Sequence, residues 1–265
     1  MKLPVALTIA GSDSGGGAGI QADLKTFAAL GVHGTSAITA ITAQDTVTVH
    51  DILELPIGIV RAQIDAVAQD LGVDAAKTGM LASSAIINAV AEAIEIHAIR
   101  NLVVDPVMVA KSGAKLLRDE AIDALRTRLL PLAALITPNL PEAEVLLGRT
   151  IRTLDERRAA ARELMALGPR AVVVKGGHAD DDATDVYVDG SQMVELPHKR
   201  IATANTHGSG CAFSAAIAAG LAKGREPLAA AREAKEFISG AIELSLELGH
   251  GHGPVNPMYA VNPQT

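Results

Sequence analysis

The chain has 265 residues, of which 49% are hydrophobic and 20% are charged, so it can build a packed core and lacks the composition of a disordered protein. Its net charge of −7 repels phosphate backbones, and its two tyrosines and three phenylalanines offer little for base stacking, which excludes typical nucleic-acid binders. A single cysteine excludes an intrachain disulfide and a multi-cysteine zinc site, and it fits a reducing compartment.

The start of the chain is apolar up to Ala10 but is interrupted by Pro4 and leads into a glycine-rich segment. This pattern favours an internal β-strand over a secretory signal peptide. No uninterrupted apolar run approaches the roughly 18 residues that a membrane-spanning helix needs. We therefore expect a cytoplasmic protein that binds neither a membrane nor a nucleic acid.

Short apolar runs alternate with longer amphipathic segments, which is the pattern of βα units around a mostly parallel sheet. The predicted strands are Val5–Ala10, Thr35–Ile41, Val73–Thr78, Leu102–Val104, Ala134–Thr137 and Ala171–Lys175. Between Asp180 and Met193 the rhythm changes to short alternating strands around an Asp189-Gly190 turn, which predicts a hairpin near the sheet edge.

Apolar residues at helical spacing predict the intervening helices. Pro56 suits the first helical position, and the stripe that follows is Ile57, Val60, Ile64, Val67 and Leu71. Ser83 or Ser84 can cap a helix with the stripe Ile87, Val90 and Ile94. A last helical region runs from about Cys211 to Leu248, with a break near Gly224 to Pro227. No repeat, linker or boundary divides the chain, so we expect one α/β domain over residues 1–265.

Polar residues and glycines follow nearly every predicted strand. Gly11-Ser12-Asp13 follows the first strand, Gln44 follows the second, and Asp105 follows the fourth. In open α/β sheets the carboxyl ends of the strands line the ligand crevice. Such residues also form ordinary turns, but their recurrence after so many strands predicts a binding site at this edge.

The segment Thr206-His207-Gly208-Ser209-Gly210-Cys211 precedes an apolar helix. Its glycines let successive N–H groups point into one concavity at a positive helix end, so the segment can bind an anion, although a simple glycine cap is the alternative. No G-x-x-x-x-G-K-[ST] sequence occurs, which disfavours a P-loop NTPase. The loop Gly11 to Gly19 lacks the G-x-G-x-x-G spacing of a Rossmann dinucleotide site.

Asn139 and Glu142 place an amide and a carboxylate three residues apart at a strand-to-helix junction. Both can approach a hydrated Mg²⁺ that is held mainly by phosphate oxygens. Alternatively, Asn139 caps the helix and Glu142 completes a capping box. The histidines His207, His250 and His252 supply too few closely spaced ligands for a closed zinc site, so we expect no metal there.

Seven segments, in chain order, resemble the hydroxymethylpyrimidine/phosphomethylpyrimidine kinase family of thiamin biosynthesis. They are Gly11 to Thr26, Ala43 to Thr46, Lys77 to Met80, Val104 to Met108, Thr137 to Glu142, Val174 to His178 and Thr206 to Cys211. The resemblance covers about residues 5 to 255 and implies a ribokinase-like fold, a three-layer α/β/α domain around a mostly parallel sheet. It also implies a homodimeric kinase that uses ATP and Mg²⁺ to phosphorylate 4-amino-5-hydroxymethyl-2-methylpyrimidine and then its monophosphate.

The resemblance assigns pyrimidine contacts to Gly11, Asp23, Gln44, Met80 and Val107. Gln44 suits an aminopyrimidine because one amide offers both a donor and an acceptor. Met80 and Val107 would supply apolar walls. As alternatives, Met80 fills the core and Asp23 caps or pairs on a helix.

For the phosphates, the resemblance assigns Mg²⁺ to Asp105 and Glu142. The nucleotide-binding residues that it implies are Asn139, Lys175, Thr206 and Lys235. A lysine in the last helices is more often a solvated surface group, which is the alternative for Lys235.

The implied catalytic turn consists of Gly208, Ser209, Gly210 and Cys211. Ribokinase-like enzymes usually place an aspartate after the second glycine, whereas this chain has Cys211, as the hydroxymethylpyrimidine kinases do. A thiol at a helix N-terminus can have its pKa lowered below about 8.5, so a thiolate general base is expected. A cysteine that packs as a small apolar group is the alternative.

Two other functions fit parts of the pattern. A pyridoxine or pyridoxal kinase of the same superfamily also acts on a hydroxymethyl group of a flat heteroaromatic ring. A non-catalytic pyrimidine-binding protein would retain only the pocket. Asp105, Asn139 and Glu142 argue against the latter, because binding alone needs no residues for phosphate.

Overall fold

The structure is a computed structural model that describes residues 3–110, 113–114, 116–177 and 183–261. Its strands are β1 (Val5–Asp13), β2 (His33–Gln44), β3 (Val49–Glu54), β4 (Ala75–Thr78), β5 (Leu102–Val104), β6 (Leu135–Ile136), β7 (Ala171–Val174), β8 (Asp185–Asp189) and β9 (Met193–Leu196). In the described part of the chain these strands form one sheet in the order β3-β2-β1-β4-β5-β6-β7-β8-β9. The six strands from β2 to β7 in that order pair in parallel, and the pairs β2–β3, β7–β8 and β8–β9 are antiparallel.

The helices are α1 (Gly19–Ala29), α2 (Ile57–Asp70), α3 (Ser84–Ile96), α4 (Ala121–Ala124), α5 (Leu140–Leu147), α6 (Leu154–Met165), α7 (Ser209–Ala222) and α8 (Pro227–Glu243). A π-helical turn (Leu125–Leu129) and a 3₁₀ turn (Leu130–Leu132) continue α4. None of the helices within the described ranges is long and apolar enough to cross a membrane.

Helices cover both faces of the sheet, so the central strands are buried on both sides and read as continuous apolar runs. In β5, Leu102 and Val104 pack into one core with α2, α3, α5 and α6. Val103, between them, packs into the opposite core with α1, α7 and α8. This alternation follows from the period of two in a strand, and it confirms the predicted three-layer α/β/α arrangement.

The predicted strands are confirmed, with different ends. Leu102–Val104 matches β5, while β1 runs three residues beyond the predicted Ala10 to Asp13. The edge strand β3 was not predicted, because its sequence mixes polar and apolar residues on a half-exposed face. The hairpin turn is confirmed: the Asp189 carboxylate accepts the backbone N–H groups of Ser191 and Gln192 at 2.7 and 2.9 Å. Residues 180–182 of the predicted hairpin lie outside the described residues.

The predicted helices also form. In α2 only Val60 and Ile64 are fully buried, and Ile57 and Leu71 at the ends of the stripe are exposed. Ser83 occupies the cap position of α3, but its side chain makes no capping hydrogen bond. The last helical region is broken between α7 and α8 as predicted, and α8 ends at Glu243, before the predicted Leu248.

A fully buried ion pair joins α1 to the centre of the sheet. The Lys77 ammonium of β4 lies 3.0 and 2.9 Å from the two carboxylate oxygens of Asp23, and neither side chain is exposed. Thr8 of β1 donates its hydroxyl to the same carboxylate at 2.6 Å. Burial alone would lower the pKa of Lys77, but the adjacent Asp23 carboxylate raises it above its usual value, so the ammonium stays charged.

We expect Lys77→Met and Asp23→Asn each to lower the free energy of unfolding by about 3–5 kcal/mol, because each leaves its partner without a counter-charge in the interior. The double variant should lose clearly less than the sum of the two losses, since it leaves no lone buried charge. Urea denaturation measures all three variants.

The exposed pair Arg149–Glu163, with an N–O distance of 2.7 Å, serves as the control. Arg149→Met should cost less than about 1 kcal/mol. The expected coupling would be contradicted if the losses of Lys77→Met and Asp23→Asn summed to within about 0.5 kcal/mol of the loss measured for the double variant.

Candidate active site

A cavity of about 830 Å³ opens at the carboxyl ends of the parallel strands. The ends of β1, β2, β4, β5 and β7 line it, together with the beginnings of α5 and α7. This is the edge at which the polar residues after each strand predicted a site, because loops converge there while the helices pack on the faces.

Most of the predicted site residues lie around this cavity. The lining residues among them are Gly11, Gln44, Met80, Asp105, Val107, Asn139, Glu142, Lys175, Thr206, Gly208, Ser209, Gly210, Cys211 and Lys235. Asp23 does not line the cavity, because it is fully buried under β4 in its ion pair with Lys77. A direct pyrimidine contact from Asp23 stays a prediction; in this structure the residue is buried and paired with Lys77, as its alternative reading expects.

The glycine-rich turn before α7 has the geometry of an anion-binding site. Gly208 is the N-cap of α7 and has a φ of +77°, a conformation that favours glycine. A Cβ at Gly210 would lie 3.3 Å from the Lys175 Nζ and 3.7 Å from an Asp105 oxygen. A side chain there would thus enter the space between the turn and these two charges, at the end of a helix where backbone N–H groups can bind an anion.

Asp105 and Lys175 form the charged centre of the cavity. The Lys175 Nζ lies 3.1 Å from Asp105 Oδ1, and the side chains are 15% and 2% exposed. Ser214 of α7 donates its hydroxyl to Asp105 Oδ2 at 3.2 Å, which ties the carboxylate to the helix that follows the turn. Burial lowers the pKa of Lys175, but Asp105 and Glu142 raise it above its usual value, so the ammonium stays charged.

Asn139 and Glu142 form the capping box of α5. The Asn139 N–H donates to Glu142 Oε2 at 2.8 Å, and the Glu142 N–H donates to Asn139 Oδ1 at 2.9 Å. Both residues also line the cavity, so capping and a role in the site coexist. Burial raises the pKa of Glu142 to about 7, because the neighbouring Lys175 only partly offsets the loss of solvent.

Lys235 of α8 is held by an ion pair with Asp185 at the start of β8. Its ammonium donates to Asp185 at 2.8 Å and to the carbonyl of Ala183 at 2.7 Å, and its side chain is 13% exposed. The alternative of a solvated surface lysine is wrong for this residue. The Asp185 carboxylate also accepts the Gly176 N–H at 2.8 Å, so it connects Lys235 to the residue beside Lys175.

Another part of the cavity is lined by Gly11, Gln44, Met80 and Val107. A Cβ at Gly11 would lie 3.1 Å from the sulfur of Met80, so these residues lie against each other. Thr39 donates its hydroxyl to the Met80 carbonyl at 2.7 Å. The amide oxygen of Gln44 accepts the Thr42 hydroxyl at 3.3 Å.

Cys211 lines the cavity from the first turn of α7. The backbone N–H of Gly19 acts to lower the pKa of the Cys211 thiol. Burial nevertheless raises the pKa of the thiol to about 11, and the nearby Lys77 ammonium offsets only part of this effect. The expectation of a pKa below that of a free thiol is wrong, because the sequence reveals the helix N-terminus but not the loss of solvent.

Sequence reasoning missed two groups around the cavity. Lys77 lines the cavity beside Cys211. The sequence feature that could have revealed it is a lysine within a buried strand of four residues, because a buried lysine needs a carboxylate partner. His207 was considered only as a metal ligand, but its ring pairs with Asp13 at 2.9 Å. Both residues also line the cavity.

Comparisons with known proteins agree with this geometry. A family model described as phosphomethylpyrimidine kinase matches residues 13–256. The hydroxymethylpyrimidine/phosphomethylpyrimidine kinase of Bacillus subtilis is 51% identical over 97% of this chain and 95% of its own length. The thiamine biosynthesis bifunctional protein ThiED of Geobacter sulfurreducens is 50% identical over 96% of this chain and 52% of its own length.

Among solved structures, an ADP complex of Bacillus subtilis pyridoxal kinase superposes with a TM-score of 0.92 and 44% identity. The match covers 98% of this chain and 99% of that one. The fold is the ribokinase-like α/β fold, as the motifs had indicated. Since a family model spans most of the chain and a relative with half of its residues identical aligns end to end, the chain belongs to the phosphomethylpyrimidine kinase family.

Proposed function

We propose that this protein is a bifunctional kinase of thiamin biosynthesis. It transfers the γ-phosphate of ATP to 4-amino-5-hydroxymethyl-2-methylpyrimidine and then phosphorylates the monophosphate to the diphosphate. The observation that carries the proposal is that the turn Thr206 to Cys211 and the residues Gly11, Gln44 and Met80 line one cavity, in a chain of this family.

The part of the cavity lined by Gly11, Gln44 and Met80 suits the pyrimidine. Gln44 would hydrogen-bond the amino group and a ring nitrogen, because its amide supplies both an acceptor and a donor. Met80 and Val107 would form apolar walls, and Gly11, against which the Met80 sulfur lies, would form the adjoining edge of the pocket. Asp23, which lies outside the cavity, would act indirectly by holding the Lys77 ammonium in place.

The part of the cavity lined by Lys175, Lys235 and the turn before α7 suits ATP. The related pyridoxal kinase of known structure binds ADP, and Lys175 and Lys235 line the cavity here. Lys175 and Lys235 would offset the charge of the phosphates, with Asn139 and Thr206 beside them. The N–H groups of Gly208, Ser209 and Gly210 would bind the transferring phosphoryl group, where charge neutralisation dominates catalysis.

The residues present fit Mg²⁺. Within the described residues no three His, Cys, Asp or Glu side chains cluster as a closed metal cage. Mg²⁺ does not need one, since it usually keeps several waters and binds through one or two carboxylates and substrate phosphates. Asp105 and Glu142 would supply those carboxylates, and the ion would neutralise charge on the phosphate oxygens.

In the first step the hydroxymethyl oxygen attacks the γ-phosphorus. A new P–O bond forms, the bond to the bridging oxygen breaks, and ADP leaves with that oxygen. The proton of the alcohol passes to the sulfur of Cys211 in its thiolate form and then to solvent. In the second step an oxygen of the monophosphate attacks a second ATP; this oxygen is already anionic near neutral pH, so no proton has to be removed.

We further propose that residues 1–265 act as one kinase domain, that it works as a homodimer, and that the reaction takes place in the cytoplasm, where ATP is supplied. An exposed apolar surface supports the dimer. Ile41 and Leu53 face each other across β2 and β3 and are 47% and 63% exposed. Val47, Ile57 and Ile59, in the same stretch of the sequence, are also exposed.

A product time course tests the proposed function. With ATP and Mg²⁺, the pyrimidine alcohol should give the monophosphate first and the diphosphate later, each with one ADP. Pyridoxal is the comparison substrate, because a structural neighbour is a pyridoxal kinase. A higher kcat/KM for pyridoxal, or pyrimidine binding without ADP formation, would contradict the proposal.

Cys211→Ala should slow the first step far more than the second, since general-base help typically contributes about 10²- to 10⁴-fold and only the alcohol must lose a proton. Because the thiol has a pKa of about 11, the thiolate fraction grows as pH rises. First-step kcat of the unsubstituted enzyme should therefore rise up to about tenfold per pH unit above neutrality, and that of Cys211→Ala should not. Equal losses in both steps, with parallel pH profiles, would exclude the base.

A further inference from the structure

Asp13, at the end of β1, organises the glycine-rich loop that follows. Its carboxylate is 3% exposed and accepts the backbone N–H groups of Gly15 at 2.8 Å, Gly17 at 3.1 Å and Ala18 at 2.8 Å. One buried carboxylate therefore sets the path of the loop between β1 and α1. The phosphate chemistry proposed above does not use this carboxylate.

The same carboxylate receives a donor from the other end of the chain. His207 Nε2 lies 2.9 Å from Asp13 Oδ2, and the imidazole is 10% exposed. The backbone of His207 is also fixed, because its N–H donates to the Gly253 carbonyl and its carbonyl accepts the Val255 N–H, both at 3.1 Å. The backbone of His207 is thus held by residues 253–255, and its side chain is held by Asp13 at the start of the loop between β1 and α1.

The two loops touch so closely that neither can shift without the other. A Cβ at Gly17 would overlap the His207 ring, and a Cβ at Gly208 would overlap the Gly17 carbonyl oxygen. The first loop ends at Gly19, whose backbone N–H lowers the pKa of the nearby Cys211 thiol, and both residues line the cavity. The contacts around the Asp13–His207 pair therefore lie directly beside the turn that carries Cys211.

We propose that the Asp13–His207 pair is a latch that positions the anion-binding turn and Cys211 against the loop between β1 and α1. The inference rests on the proposed function for its catalytic consequence, because neither side chain has a part in the phosphoryl transfer itself. His207 is a positioning residue: its hydrogen bond to Asp13 fixes where the turn places its N–H groups and where Cys211 lies beside Gly19. A small displacement at such a site is costly for the reaction.

The test compares three variants of the full-length protein. His207→Leu removes the donor, His207→Gln keeps an N–H group at similar reach, and His97→Leu is the matched control. His97 makes a similar contact, 2.6 Å from Asp65, on the surface of α2 and α3 away from the cavity. Hydrogen–deuterium exchange reads out local opening, and kcat with the pyrimidine alcohol reads out positioning.

For His207→Leu we expect exchange in the segments 14–20 and 206–212 to rise roughly tenfold or more, with α3 unchanged, because a hydrogen bond to a charged group is among the stronger ones. Its kcat should fall at least about tenfold. His207→Gln should stay within about threefold of the unsubstituted protein in both measurements, since the hydrogen bond is kept. His97→Leu should show the opposite pattern, with faster exchange at the ends of α2 and α3 and an unchanged kcat.

Unchanged exchange in both loops of folded His207→Leu would overturn the latch, and faster exchange with an unchanged kcat would overturn its positioning role. If His207→Leu does not fold, Gly17→Ala replaces it in the test, because the added methyl group displaces the His207 ring while the Asp13 carboxylate stays. Unaltered kcat and unaltered exchange in Gly17→Ala would also overturn the proposal. If the unsubstituted protein phosphorylates neither pyrimidine, the proposed function fails, and the exchange data still decide whether the loops are latched.

Discussion

The close approach of two glycine-rich loops from opposite ends of the chain determines where everything else in the cavity lies. The Gly17 carbonyl oxygen occupies the space that a Cβ at position 208 would need, and Gly208 itself has a φ of +77°. Any other residue at position 208 would be strained and would push the loops apart. Because the loops meet, the N-terminus of α7 lies at the ends of the central strands, and Gly208, Ser209, Gly210 and Cys211 line the cavity there.

Buried charges in this site are present as pairs that link different elements. Asp23 of α1 holds Lys77 of β4, Asp105 after β5 holds Lys175 after β7, and Asp185 of β8 holds Lys235 of α8. Pairing allows ammonium groups to be kept inside the protein, since a lone buried charge is costly. It also keeps the cations in place before a nucleotide arrives, so that binding requires little reorganisation.

Most of the architecture could be predicted because it depends on local pattern. Alternating apolar runs gave the strands, and the polar residues that end them gave the position of the cavity. Burial could not be predicted in the same way. Asp23 has the residue type of a binding group, but tertiary packing hides it under β4, and the same packing raises the pKa of Cys211. Lys77 and His207 escaped notice as site residues because their partners, Asp23 and Asp13, lie 54 and 194 residues away in the sequence.

A crystal structure with a non-hydrolysable ATP analogue, Mg²⁺ and the pyrimidine alcohol tests the central claim most directly. The account predicts that oxygens of the terminal phosphate accept hydrogen bonds from the main-chain N–H groups of the turn 208–211, with the substrate hydroxyl in line beside the Cys211 sulfur. A terminal phosphate bound elsewhere, with side chains filling the turn, would contradict it.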